Sequence, residues 1–198
     1  MNFFLLRCLN LLGTRISFDN PHFLHKNQSY IIVANHQGMF DIPPLIWYLR
    51  KVHPKFISKK ELGKGIPGIS FNLKHGGSVL INRKNPIQAL GAITAFAKSL
   101  HANGRSAVIF PEGTRSRTHQ PKKFQTRGLL TLVENMPNAF ILPVTINHSW
   151  KLMRWGNFPM GIGVHLKFVV HAPMAVGEYD AEHLVSEVEK QVVEAIEG

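Results

Sequence analysis

The sequence predicts a single α/β domain, in which helices flank a mostly parallel mixed sheet and a short interfacial helix lies at the N-terminus. Length is the first indication, because 198 residues suit one compact domain with a short appendage. Composition is the second, since 44% hydrophobic residues are enough for a sizeable core. The third is order along the chain, where short β-branched runs alternate with longer helical segments, as in α/β proteins.

Six short apolar runs are predicted as strands and four longer segments as helices. The predicted strands are Tyr30–Ala34, Lys55–Ser58, Ser78–Asn82, Ala107–Phe110, Phe140–Ile146 and Val164–Val170. The predicted helices are Pro43–Lys51, Pro86–Ala102, Gly128–Asn135 and Ala181–Ile196. The last has one apolar and one acidic face, which predicts a helix packed on the domain with its outer face in solvent.

The N-terminal segment Met1–Leu12 is rich in apolar residues but is interrupted by Arg7 and Asn10. It is shorter than the roughly twenty residues that a membrane-spanning helix needs, and its pattern is not that of a signal peptide. We predict an interfacial helix. A helix packed on the domain, or the remnant of a longer anchor, is the alternative.

Three regions follow from these patterns. Residues 1–28 are predicted as an N-terminal membrane-associated segment, residues 29–177 as the α/β domain, and residues 178–198 as an acidic C-terminal helix packed on it.

Charge is distributed unevenly along the chain, whose formal net charge is +11. Residues 1–177 hold 22 of the 23 basic residues and 5 of the 12 acidic residues, so their net charge is +17. This charge predicts attraction to an anionic partner, such as nucleic acid, acidic lipid headgroups or a carrier bearing phosphate. Cys8 is the single cysteine, which excludes an internal disulfide and a zinc cluster of cysteines.

Two stretches combine aromatic and basic residues in the way expected at a lipid headgroup boundary. One is Lys51–Lys74, with six lysines among apolar residues. The other comprises Trp150, Lys151, Arg154, Trp155 and Phe158. Core residues beside solvated lysines are the alternative interpretation for both.

Polar clusters follow three of the predicted strands, at residues 35–41, 82–83 and 111–116. Open α/β sheets bind ligands at the carboxyl ends of their strands. If these strands are parallel neighbours, the three clusters meet at one edge of the sheet and form a site.

His36 and Asp41 are the candidate catalytic pair in the first cluster. A histidine suits removal of an alcohol proton near neutral pH, and a carboxylate fixes its tautomer. The pair can meet only if the chain folds back between them, which Gly38 and the prolines after Ile42 favour. The alternative is that Asp41 only caps a helix. No serine-nucleophile motif accompanies the pair, so the hydroxyl of the substrate would attack directly.

Arg115 and Arg83 are candidate phosphate ligands, because a guanidinium group can bind two phosphate oxygens. Gly113 allows close approach of the backbone to a ligand. Glu112 is one of only five acidic residues in the basic region, and an ion pair with a neighbouring arginine is expected for it. Solvated surface residues are the alternative for both arginines.

Four blocks occur in order: N-H-Q-G-M-F-D at residues 35–41, G-G-S-V-L-I-N-R at 76–83, F-P-E-G-T-R-S at 110–116 and I-L-P-V-T-I at 141–146. Together they resemble the signature of the glycerolipid acyltransferase family, and most closely the bacterial 1-acylglycerol-3-phosphate acyltransferases. The resemblance covers roughly residues 29–147. Gly38 stands where serine is common in that family, Asn82 where aspartate is common, and the N-terminal region is shorter than usual.

The resemblance implies transfer of an acyl chain from acyl-CoA or acyl carrier protein to the sn-2 hydroxyl of 1-acylglycerol-3-phosphate, with no metal and no further cofactor. His36 would be the general base and Asp41 its orienting partner. Arg115 would bind the phosphate of the acceptor, and Pro143 would shape the pocket near the acyl chain. The implied substrate-binding residues are Asn82, Arg83, Glu112, Gly113, Thr114, Arg115, Arg127 and Pro143.

The expected partners are an anionic membrane surface, a lysophospholipid and the acyl donor. The expected location is the cytoplasmic face of a membrane, peripheral or monotopic. A basic nucleic-acid-binding module is the first alternative, but no nucleic-acid motif supports it. A non-catalytic lipid-binding protein is the second, and the presence of both His36 and Asp41 argues against it. Another lysolipid as acceptor is a third alternative that the sequence leaves open.

Overall fold

A computed structural model of the chain describes residues 2–63, 71, 73, 75–156 and 158–198. Part of the predicted lipid-contact stretch Lys51–Lys74 lies outside these residues. The helices are α1 (Asn2–Leu11), α2 (Ile42–Tyr48), α3 (Pro86–Ala102), α4 (Thr126–Asn135) and α5 (Ala181–Glu194). The strands are β1 (Arg15–Asp19), β2 (Tyr30–Ala34), β3 (Pro54–Lys59), β4 (Val79–Ile81), β5 (Ser106–Ile109), β6 (Phe140–Asn147), β7 (His165–Val170) and β8 (Met174–Ala175).

The strands form one mostly parallel sheet in the order β1-β7-β6-β2-β5-β3-β4, with β8 also paired to β6. β6 runs antiparallel to β7 and β8, and the remaining pairs are parallel. The predicted mixed α/β sheet is therefore confirmed. β2 and β5 are neighbours, but β3 separates β5 from β4, so the three polar clusters are not all on adjacent strands.

Helices cover both faces of the sheet, because alternate strand residues point to opposite sides. Ile31 and Val33 of β2 belong to a core with α3, α4 and α5. Ile32 and Ala34 belong to a second core that includes Leu9 of α1 and residues of α2. All five residues of β2 are buried, which places this strand at the centre of the molecule.

Two strands were missed by the sequence patterns. β1 pairs in parallel with β7, from Arg15 beside His165 to Asp19 beside Val169. It lies within residues 1–28, so this segment contributes to the sheet as well as to α1. β8 is only two residues long. The predicted helix Pro43–Lys51 is shorter in the structure, since α2 ends at Tyr48 and a separate 3-10 turn covers Arg50–Val52.

Helix α1 has one side on the domain and the other exposed. Leu6 and Leu9 are buried, and the ring of Phe3 lies 5.0 Å from that of Trp47 in α2. Phe4 and Leu11 are 71% and 88% exposed. None of the helices in the described residues combines the length and the apolar character that a bilayer crossing requires.

Candidate active site

The chain folds back directly after β2 and brings His36 to Asp41. A 3-10 turn covers Met39–Asp41, and α2 begins at Ile42 with prolines in its first turn. The Asp41 carboxylate is fully buried and accepts hydrogen bonds from the backbone N–H groups of Gln37 and Gly38, at 2.8 and 2.9 Å. These bonds fix the carboxylate beneath the end of the strand.

His36 is held at one edge of its ring and on one ring face. Its Nδ1 lies 2.7 Å from Oδ2 of Asp41, and its ring stacks on Phe110 with the ring centres 4.2 Å apart. Because the Asp41 carboxylate accepts a hydrogen bond from the Nδ1–H group, Nε2 is the nitrogen left to take up a proton. Nε2 has no hydrogen-bond partner among the described residues, and the side chain is 16% exposed. A substrate hydroxyl can therefore approach it.

The loop between β6 and β7 supplies a contact that no sequence motif indicated. Ser149 is fully buried, and its hydroxyl donates to Oδ1 of Asp41. The Ser149 backbone N–H donates to Oε1 of Gln37 at 3.1 Å. Gly38 leaves room for this contact, since a Cβ there would lie 3.0 Å from the Ser149 hydroxyl oxygen. Ser149 was missed because 108 residues separate it from Asp41.

Glu112 connects β5 to the His36 segment through the backbone. One carboxylate oxygen accepts the N–H of His36 at 2.7 Å, and the other accepts the N–H of Lys122 at 2.8 Å. Burial raises the pKa of Glu112, and these two amide hydrogen bonds oppose the rise. The expected ion pair is wrong, since no arginine side chain lies within 4.0 Å of this carboxylate in the described part of the chain. Both oxygens are already bonded to amides.

The turn after β5 presents its residues to two different cavities. Gly113 has a φ of +73°, a conformation that favours glycine, and it lines a groove on one side. Arg115 lines a pocket on the other side. Thr114, between them, is exposed. The backbone N–H of Ser116 donates to the carbonyl of His36 at 2.7 Å, which ties this turn to the histidine.

The first cavity, here called the apolar groove, has a volume of about 490 Å³. Its walls come from β3, β4, β5, α3 and the start of α4, and they include Phe110, whose ring stacks on His36. Arg83 and Arg127 line it among apolar side chains. The apolar lining residues include Ile57, Ile81, Leu90, Ile93, Ile109 and Phe110.

The second cavity, here called the cationic pocket, has a volume of about 170 Å³. Two arginines line it, Arg115 and Arg117, and the sequence had indicated only the first. Gln37 and Gly38 line its wall next to His36. Trp150 lines it from the β6–β7 loop. His36 lines neither cavity itself, but its ring stacks on Phe110 of the apolar groove, and Gln37 and Gly38, which follow it in the chain, line the cationic pocket.

Four of the predicted substrate-binding residues line neither cavity: Asn82, Glu112, Thr114 and Pro143. Asn82 uses its side-chain oxygen to accept the N–H of Lys84, at 3.1 Å, in the turn before α3. Pro143 is buried inside β6 beside Val33 of β2. Arg83 and Arg127 line the apolar groove, so they are separated from Arg115 in the cationic pocket.

Comparison with known proteins gives the same assignment in sequence and in structure. The family model described as Acyltransferase matches residues 15–147. A 1-acyl-sn-glycerol-3-phosphate acyltransferase of Borreliella burgdorferi is 29% identical over 191 residues, covering 94% of this chain and 74% of that protein. The putative 1-acyl-sn-glycerol-3-phosphate acyltransferase acl-1 of Caenorhabditis elegans is 31% identical over 141 residues, covering 70% of this chain and 52% of that protein.

Among solved structures, the fold matches the 1-acyl-sn-glycerophosphate (LPA) acyltransferase PlsC from Thermotoga maritima with a TM-score of 0.82 and 25% sequence identity. The match covers 98% of this chain and 76% of that one. The family match spans more than half of the sequence and includes β1, β2, β5 and most of the residues of both cavities. The chain therefore belongs to the Acyltransferase family.

Proposed function

We propose that this acyltransferase moves a fatty acyl chain from a thioester donor to the sn-2 hydroxyl of 1-acylglycerol-3-phosphate, giving phosphatidic acid. The observation that carries the proposal is that His36 adjoins both cavities, through its ring stacked on Phe110 of the apolar groove and through its chain neighbours Gln37 and Gly38 of the cationic pocket. An acyl chain suits the first cavity and a phosphate group suits the second. The names of the relatives described above support the same substrate class.

In the proposed mechanism, Nε2 of His36 removes the proton of the acceptor hydroxyl as the oxygen attacks the thioester carbonyl. Asp41 holds the ring through Nδ1 and stabilises the imidazolium ion that forms. The new carbon–oxygen bond forms and the carbon–sulfur bond breaks. The thiolate then takes the proton from the imidazolium ion and leaves as a thiol, so no covalent acyl-enzyme is needed.

The cationic pocket is the proposed site for the acceptor phosphate. Arg115 lines this pocket together with Gln37 and Gly38, which follow His36 directly in the chain. A phosphate held by the guanidinium group fixes the distance between the phosphate and the hydroxyl that faces His36. Glu112 acts on this arrangement indirectly, because its two bonded oxygens position the backbone of His36 and Lys122.

The apolar groove is the proposed site for the acyl chain of the donor. Arg83 and Arg127 line it, where they can attract the phosphate groups that acyl-CoA and acyl carrier protein both carry. Gly113 contributes backbone to the same groove next to Phe110. The thioester carbonyl would then lie near the histidine ring, beside Phe110.

We also propose that the protein binds the cytoplasmic face of an anionic membrane in a peripheral or monotopic manner. Phe4 and Leu11 of α1 are exposed, and so are Phe158 and Ile162 of the β6–β7 loop. The two segments are joined where the N–H of Gly163 donates to the carbonyl of Leu12 at 3.0 Å. Exposed apolar side chains near a basic protein surface are typical of interfacial binding.

The substrate proposal is tested by giving the purified protein a panel of lysolipids with acyl-CoA or acyl-acyl carrier protein and identifying the products by mass. We expect phosphatidic acid from lysophosphatidic acid, and little product from monoacylglycerol, which lacks the phosphate. Arg115→Ala should raise KM for lysophosphatidic acid and leave the slow hydrolysis of the donor unchanged. Phosphate recognition would be excluded if the wild type used lysophosphatidic acid and monoacylglycerol equally well and Arg115→Ala affected both reactions equally.

A further inference from the structure

Two residues that line the cationic pocket each carry a buried side-chain hydrogen-bond donor that no group in the described residues satisfies. The two donors are Nε2 of Gln37 and Nε1 of Trp150. Buried polar atoms in native proteins are nearly always bonded, because an unmet donor loses its bonds to water without replacement. Two unmet donors on residues that line one charged pocket indicate that a ligand supplies the acceptor atoms.

The orientation of the Gln37 amide is set by the protein. Its Oε1 accepts the backbone N–H of Ser149 at 3.1 Å, so the amide group cannot rotate freely between its oxygen and its nitrogen. Nε2 is then the side-chain atom of Gln37 left without a partner in the described residues, and Gln37 lines the cationic pocket. Only 1% of Gln37 is exposed, which excludes bulk solvent as its routine partner.

Trp150 lies in the 3-10 turn Ser149–Met153, immediately after the serine that contacts Asp41. The ammonium group of Lys151 lies 5.6 Å from the centre of its ring. In this turn, the Trp150 indole N–H therefore lies one residue after Ser149, whose hydroxyl bonds to Asp41. Movement of this turn would affect the pocket and the Asp41 carboxylate together.

We propose that Gln37 Nε2 and Trp150 Nε1 donate hydrogen bonds to the phosphate of the acceptor, beside the charges of Arg115 and Arg117. This inference rests on the proposed function and names residues that determine its acceptor specificity. A phosphate monoester has three terminal oxygens and a charge near −2, which matches two guanidinium groups and two further donors. A diester headgroup has fewer terminal oxygens and less charge, so the pocket selects lysophosphatidic acid over other lysophospholipids.

The direct test uses protein labelled with ¹⁵N in its tryptophan indoles, of which the chain has three. Titration with glycerol 3-phosphate should shift the Trp150 indole N–H resonance, assigned with Trp150→Phe, and leave that of Trp47 unchanged. Glycerol should shift neither, and glycerophosphoethanolamine should require a higher concentration than glycerol 3-phosphate. An unchanged Trp150 resonance under saturating glycerol 3-phosphate would overturn the proposal.

The kinetic test compares Trp150→Phe with Trp47→Phe, a matched change at a half-buried tryptophan outside the pocket. Loss of a hydrogen bond to a charged group should raise KM for lysophosphatidic acid by roughly tenfold or more. Trp47→Phe should leave KM unchanged. If the wild type makes phosphatidic acid and Trp150→Phe has the wild-type KM, the role given to Trp150 is wrong and the proposed function still stands. If the wild type makes none, the proposed function itself fails.

Discussion

At the scale of single residues, the Asp41 carboxylate collects its contacts from two distant parts of the chain. His36, Gln37 and Gly38 bond to Oδ2, and the hydroxyl of Ser149 bonds to Oδ1. A carboxylate bonded on both oxygens cannot rotate away from the histidine. This arrangement determines which tautomer His36 adopts and where Nε2 points.

Ser149→Ala should lower kcat/KM by roughly tenfold, the usual scale for losing one bond to a charged group. Without the hydroxyl, Oδ1 of Asp41 loses its bond and the carboxylate orients the His36 ring less firmly. Ser106→Ala is the control, because it removes another buried hydroxyl that bonds the Tyr30 N–H away from the site. A wild-type kcat/KM in Ser149→Ala would leave Ser149 with a packing role only.

Glu112→Gln tests the link between β5 and His36. One amide N–H of the new side chain must face a backbone N–H, so one of the two bonds is lost and kcat/KM should fall by about tenfold.

Burial raises the pKa of Glu112 above its usual 4.5, so the folded protein binds this proton more tightly than the unfolded chain. The associated stability is present below about pH 4.5 and is lost as the pH rises through the raised pKa.

Urea unfolding at a series of pH values tests this second part. The difference in unfolding free energy between Glu112→Gln and the wild type should move in favour of the variant as the pH rises above 4.5. The exposed Glu134→Gln serves as the control and should show no such trend. A pH-independent difference for Glu112→Gln would show that Glu112 titrates alike in both states.

Local motifs indicated part of the site, and long-range contacts supplied the rest. His36, Asp41 and Arg115 lie in short motifs after predicted strands, so their positions could be inferred from the sequence. Ser149 and Trp150 follow β6 in a segment whose local sequence resembles ordinary loop or membrane-contact residues. The parallel pairing of β6 with β2, which no local pattern encodes, places the end of β6 beside the end of β2 and brings both residues to the site.

At the scale of elements, we expect one side of α1 to stabilise the domain core and the other side to contact the membrane. Leu9→Ala removes a buried side chain from the core and should cost about 2–5 kcal/mol of stability. Leu11→Ser changes a side chain that is 88% exposed, so it should leave the unfolding free energy nearly unchanged and weaken vesicle binding. Denaturant unfolding and co-sedimentation with vesicles separate the two effects. Equal vesicle binding by Leu11→Ser and the wild type would remove Leu11 from the membrane contact.

The elements that could be predicted are those whose own residues show a clear apolar run or a helix start. β2 is an uninterrupted buried run, and α3 begins with an Asn85 cap followed by Pro86, so both were predicted with their observed bounds. β1 has only partly buried and exposed residues, and its pairing with β7 spans most of the chain. A short edge strand of this kind gives no apolar pattern that distinguishes it from a loop.

At the scale of the whole molecule, charge is separated between the basic residues 1–177 and the acidic α5 region. We expect binding to vesicles of anionic lipid and weaker binding as salt is added. At physiological ionic strength, salt largely screens the attraction between charges that are more than about 8 Å apart. Vesicles of neutral lipid are the control for the apolar contribution. Equal, salt-independent binding to both vesicle types would contradict the electrostatic part of the membrane proposal.

The central claim, that His36 is the base for acyl transfer to lysophosphatidic acid, is tested most directly by the rate of phosphatidic acid formation in His36→Ala. The exposed His183→Ala is the matched control, and circular dichroism establishes that both variants are folded. Removal of a general base typically costs about 10²–10⁴-fold, so we predict a loss of that size in His36→Ala and none in His183→Ala. Near wild-type phosphatidic acid formation by folded His36→Ala would contradict the account.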